Sequence, residues 1–113
     1  MEGAVGTMAR LSVDFEADAA YLQVSDHQVV ETIEILPGLL IDLDELRCAV
    51  GVEVLSLALE IPVEEITHRY HVRREDLAAL AQMRPAITSF VARQAAGTVG
   101  QGRTGTLKVL TQA

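Results

Sequence analysis

The chain has 113 residues, a single cysteine and a formal net charge of −7, and half of its residues are apolar. That length makes one domain able to bury something like two-thirds of its unfolded surface, and a lone Cys48 excludes an internal disulfide. No uncharged apolar run approaches the roughly 20 residues that span a bilayer, and no charged start leads into an apolar segment as in a signal peptide, so a cytoplasmic protein with no membrane partner is the expectation.

Met1 to Thr7 has no period and reads as a frayed start. Leu11, Val13 and Phe15 alternate with Ser12 and Asp14, which predicts a first strand from about Met8 to Phe15. Glu16-Ala17-Asp18-Ala19 is a short connection with a turn-forming aspartate. Tyr21 to Ser25 predicts a second strand, with Leu22 and Val24 on one face, and Asp26-His27-Gln28 turns the chain into the next.

The densest β-branched stretch follows, Val29 to Leu55. Val29, Glu31, Ile33 and Ile35 fall on one face of an extended chain, and Val30, Thr32 and Glu34 on the other. Pro37-Gly38 then suits a type II turn, because proline presets φ at its second position and glycine accepts positive φ at its third. Leu39 to Leu43 runs back. Asp44-Glu45-Leu46-Arg47 connects to a further strand in which Val50, Val52 and Val54 share a face. Short loops between such strands predict antiparallel neighbours.

The runs DFEADAAYLQVSD, VVETIEILPGLLIDLDE and VGVEVL resemble the small bacterial YuzE-like proteins, whose members read D-x-E-A-D-A-x-Y-I, T-x-E, a D-x-D turn and V-x-G-I-E-I. Asp14, Glu16, Ala17, Asp18, Ala19, Tyr21, Thr32, Glu34, Asp42, Asp44, Gly51 and Glu53 occupy matching positions, and the resemblance covers residues 8–55. Two positions depart from it: Phe15 replaces a common proline, and Arg47 stands where glycine usually closes the turn. The arginine argues against a tight glycine-type turn, since non-glycine residues seldom take positive φ. The resemblance implies an antiparallel sheet with a helix packed on it, and no known reaction.

Among the matched residues, Asp14, Glu16, Asp18, Tyr21, Asp42 and Asp44 are the interaction candidates. Carboxylates at alternate positions could gather oxygen ligands for Ca²⁺ or Mg²⁺, and a metal-dependent enzyme is one alternative on that ground. The glycine and twelfth-position glutamate of an EF-hand loop are missing, however. Turn capping by these aspartates is the simpler expectation, as is a packed, hydrogen-bonded Tyr21.

Beyond Leu55 the period changes. Pro62 to Tyr70 predicts a short helix, with Val63, Ile66 and Tyr70 recurring at three and four. His71-Val72 interrupts it, and Arg73 to Met83 predicts a second helix with Leu77, Leu80 and Ala81 inward, ended by Pro85. A third, Ala86 to Ala96, places Ile87, Phe90 and Val91 inward and stops at Gly97. Val63 to Ala81 has the spacing of a helix-turn-helix, with Arg73 and Arg74 as candidate nucleic-acid contacts, which makes a DNA-binding regulator the other alternative. Thr67 and His71 depart from that motif. Glu64, His68, His71 and Glu75 would form a zinc-ligand stripe only on a continuous helix, and the break at His71 interrupts it. Ser89 lacks a nucleophile elbow, and Cys48 has no assignable histidine partner.

Residues 8–61 hold eleven carboxylates against two arginines, and residues 62–95 four against five. An acidic sheet half suits basic partners better than phosphate backbones. Gly97 to Gly105 reads as a flexible linker, and 106–111 either as a strand-like end able to add to a sheet edge or as a disordered tail. The expected architecture is therefore α+β: an antiparallel meander of about five strands over 8–55, two or three helices over 62–96 packed on one face, and a tail over 97–113. The expected function is a non-enzymatic interaction module, antitoxin-like or regulatory, with a basic protein partner, no cofactor, and homodimerisation through a sheet edge or helix face.

Overall fold

The computed structural model describes residues 6–96 and 104–112, with side chains described over 9–96. In chain order the elements are β1 (Gly6–Asp14), β2 (Ala19–Gln23), β3 (Glu31–Leu36), β4 (Leu39–Leu43), β5 (Ala49–Val54), α1 (Val63–Arg69), α2 (Arg74–Ala95) and β6 (Thr104–Gln112). All the strands join one antiparallel sheet in the order β3-β4-β5-β2-β1-β6. The expected linker over 97–105 lies largely outside the described residues, as does most of the expected frayed start.

The sheet is not a simple meander, because β2 pairs with β5 rather than with β3. Past β2, the N–H groups of Val24 and Ser25 both bond to the Val50 carbonyl, at 2.9 and 3.3 Å, so the chain follows β5 before it leaves the sheet. Polarity gives the reason. β5 is buried along its length except at Glu53 and takes an interior place, whereas β3 exposes Glu31, Thr32 and Glu34 and takes an edge.

Period-two alternation sorts the two faces. Across the strands, Leu11, Leu22, Val52, Ile41 and Ile33 stand in one row, and Val13, Ala20, Val54 and Leu39 in the next. These residues, all but the half-buried Ile33 fully buried, join Ile66 of α1 and Ala79, Leu80, Met83, Ile87 and Phe90 of α2 in one core cluster. The opposite face carries the rows Ser12, Tyr21, Glu53, Leu40, Glu34 and Arg10, Gln23, Gly51, Asp42, Thr32.

The two helices expected on either side of Pro85 are one. Proline removes the bond to the Ala81 carbonyl and crowds it, costing about 3 kcal/mol in a helix interior. The buried stripe Ala79, Leu80, Met83, Ile87 and Phe90 runs through the break without a phase change, and each of its four larger side chains contributes about 1.5–3 kcal/mol on burial. The stripe wins. Pro85 and Ala81 both lie on the exposed side, where water can reach the unpaired carbonyl. The same phase leaves Leu77 and Val91 about 40 % exposed, so these two and Ala81 do not face inward as their spacing suggested. Replacing Pro85 with alanine restores the N–H and is expected to stabilise the protein by about 2 kcal/mol in chemical denaturation.

Both tight turns are made as left-handed conformations. Gly38 has φ of 86°, as a type II turn requires. Arg47 has φ of 60°, so the turn that its side chain argued against forms nonetheless. A left-handed non-glycine residue costs roughly 1–2 kcal/mol, and the bonds that Asp44 accepts across the same loop offset it.

Candidate functional site

Gly51 leaves a gap on the face opposite the core, and the Tyr21 ring from the neighbouring strand occupies it: a Cβ on Gly51 would overlap Tyr21 Oη and Cζ. From there Tyr21 Oη donates to Asp42 Oδ2 at 2.8 Å, and Thr32 Oγ1 donates to Asp42 Oδ1 at 2.6 Å. Burial, followed by the bond to Asp42 and the negative charges of Asp42 and Glu53, pushes the phenol well above its usual range. It stays protonated at neutral pH, an orienting donor and not a base. Beside it an open hollow of about 350 Å³ is lined by Ser12, Asp14, Tyr21 and Glu53, with Ala17 of the β1–β2 turn and Ala19 and Ala20 of β2.

The carboxylates around this face hold backbone. Asp14 Oδ1 accepts from the N–H groups of Glu16 and Ala17, both at 3.1 Å, which closes the turn after β1. Asp18, at φ of 56°, accepts from the Leu57 N–H at 3.2 Å, tying that turn to the one that follows β5. Glu34 Oε2 accepts from Gly38 N–H at 3.1 Å. Asp18 therefore caps a distant segment and not the residues that follow it.

Asp44 lies elsewhere, at the end of β4, and is 4 % exposed. Its Oδ1 accepts from the Leu46 and Cys48 N–H groups at 2.9 and 3.0 Å, while Oδ2 meets Arg73 Nη2 at 2.7 Å and His27 Nδ1 at 3.0 Å. Arg73 Nη2 also stands 2.9 Å from His27 Nδ1. One ring nitrogen cannot serve both: protonated, it donates to Asp44; unprotonated, it accepts from Arg73. The Arg73 bond, then that of His27, holds the Asp44 carboxyl well below the usual carboxylate range. One residue on from Cys48, the Ala49 N–H bonds to the His71 carbonyl at 2.7 Å, so the segment between α1 and α2 lies along the start of β5. Asp76, in the first turn of α2, is 2 % exposed, and burial pushes its carboxyl up.

The structure thus brings Tyr21 and Asp42 together on one face and sets Asp14, Glu16 and Asp18 in the turn at its rim. Asp44 pairs with Arg73 at the far end, and Arg74 stands exposed beside that pair. Among the described residues no group of three or more His, Cys, Asp or Glu side chains could hold a metal ion. Three participants escape sequence reasoning: His27, the buried Asp76, and Arg84, whose Nη1 and Nη2 donate to the carbonyls of Leu59 and Leu57 at 2.8 and 2.7 Å. Only Asp76 had a signal, since it is in phase with the buried stripe of α2.

Residues 10–57 match a family model described as a protein of unknown function, DUF2283. Comparison with curated proteins and with solved structures gave no match. The match covers the sheet through β5 and most of the fastening carboxylates, and it stops before the helices. No helix among the described residues is long and apolar enough to cross a membrane.

Proposed function

We propose that the chain is a YuzE-like, non-enzymatic interaction module of the cytoplasm, which binds a basic protein partner through the acidic face of its sheet in an antitoxin-like or regulatory role. One observation carries this: β2, β3, β4 and β5 contain the carboxylates Glu31, Glu34, Asp42 and Glu53 and no lysine, arginine or histidine. Three of these register on the face opposite the core, and Glu31 meets Arg47 at the edge. Such a surface draws basic partners and repels phosphate backbones, and salt screens it beyond about 8 Å at physiological ionic strength. Tyr21, seated over Gly51, adds an amphipathic ring of the kind favoured in interface centres. The nucleic-acid alternative loses a free cation, because Arg73 is committed to Asp44.

The test uses a labelled oligolysine probe in a salt titration. Binding at low salt that disappears at high salt is expected, and Glu34→Lys plus Glu53→Lys weakens it by about tenfold or more. The same charge change placed outside the sheet, Glu60→Lys plus Glu64→Lys, leaves it nearly intact. Equal loss in both variants, or preference for a duplex DNA probe over oligolysine, contradicts the proposal.

A further inference from the structure

β3 ends the sheet, so alternate N–H and C=O groups along Glu31–Leu36 point away from β4 without a strand partner among the described residues. Edge strands are commonly blunted by lysine or proline. β3 has neither; its charges are Glu31 and Glu34, its register is regular from Glu31 to Glu34 and shifts only before Leu36, and Thr32, Ile33 and Ile35 give it a β-branched, strand-forming surface. Directly before it stand Val29 and Val30, 40 % and 58 % exposed, and the Leu46 side chain of the next turn is 68 % exposed. Val30 and Leu46 line a hollow of about 310 Å³ together with His27, Gln28, Asp44 and Glu45. Arg73 and His27 already meet the Asp44 charge, which leaves the exposed Glu45 as the carboxylate on that wall facing water.

We propose that the free edge of β3 and the hollow beside it receive an extended segment of a partner protein as an added strand, with a lysine or arginine of that segment seated between Val30, Leu46 and Glu45. This names where the basic partner of the proposed function docks, and it rests on that reading. Backbone pairing supplies affinity in strand addition, and side-chain pockets supply specificity. The hollow fits a long basic side chain, whose methylene stem lies on Val30 and Leu46 while its charge reaches Glu45. A second copy suits the edge less well: antiparallel β3–β3 pairing would lay two edges that each carry Glu31 and Glu34 side by side, and like charges on neighbouring strands destabilise.

An eight-residue peptide alternating lysine or arginine with valine or threonine is titrated into ¹⁵N-labelled protein and followed by amide shifts. Shifts are expected at residues 29–36 and at Glu45 and Leu46. They vanish when proline replaces alternate residues of the peptide, and Val30→Lys plus Leu46→Lys, both at exposed positions, weakens binding about tenfold. Shifts confined to Ser12, Tyr21, Gln23, Gly51 and Glu53 overturn the edge site and leave the acidic-face function standing. Shifts over residues 29–36 that depend on protein concentration alone assign the edge to a second copy. Absence of any shift removes both proposals.

Discussion

Replacing Asp44 with asparagine is expected to lower the thermal midpoint by roughly 10 °C or more, an amount typical of breaking a buried ion pair in a domain of this size. Asparagine keeps an oxygen for the Leu46 and Cys48 N–H groups, so the loss comes from the other side of the group, where an amide N–H donor replaces the charged acceptor facing Arg73 and His27. The pH dependence has a definite sign. The folded carboxyl lies below its unfolded value, so the stability it contributes is present in full above about pH 4 and is lost as pH falls from there towards the depressed folded value. Wild type and the asparagine variant therefore differ most near neutral pH, and their stabilities converge in acid. Thermal melts at a series of pH values check both statements.

Gly51→Ala is expected to cost about 1–3 kcal/mol, the usual cost of an overpacked methyl group. The added carbon overlaps the end of the Tyr21 ring, so the ring must leave and the bond to Asp42 breaks. Two observations separate this from a general weakness of β5. In a Tyr21→Ala background the same substitution costs little, a non-additivity expected of residues in direct contact. The phenol, released from burial and from Asp42, titrates at lower pH in Gly51→Ala than in the wild type, as phenolate absorbance shows once the signal of a Tyr21→Phe protein is subtracted.

Local rules account for what the sequence disclosed. Alternation located five strands to within a few residues, Leu39–Leu43 to the residue, and the Pro37-Gly38 turn follows from the φ each residue permits. Strand order was hidden because it depends on which whole strand is apolar enough to sit inside the sheet, a comparison between β3 and β5 that no window contains. Pro85 misled for a similar reason: its penalty is local, whereas the stripe that overrides it spans Ala79 to Phe90. Arg47 takes its left-handed turn because Asp44 fastens the loop from both sides.

The same non-locality governs the site. Asp44 and Arg73 entered the sequence reading under different hypotheses, one as an acidic interaction candidate and the other as a nucleic-acid contact, yet the fold makes them partners across 29 positions of chain. Asp14, Asp18 and Glu34 each hold backbone N–H groups, and Asp42 holds two hydroxyls. Chemistry suggested by the carboxylate spacing thus becomes architecture, and the proposed function rests instead on the acidic face and the open edge of β3.

A carbon-detected titration of the Asp44 side chain tests this fastening role most directly. A carboxyl carbon whose shift stays flat through the region around pH 4, where free carboxylates titrate, until the protein unfolds is the predicted result. A shift that moves in that region would show Asp44 solvated and unpaired, and would contradict it.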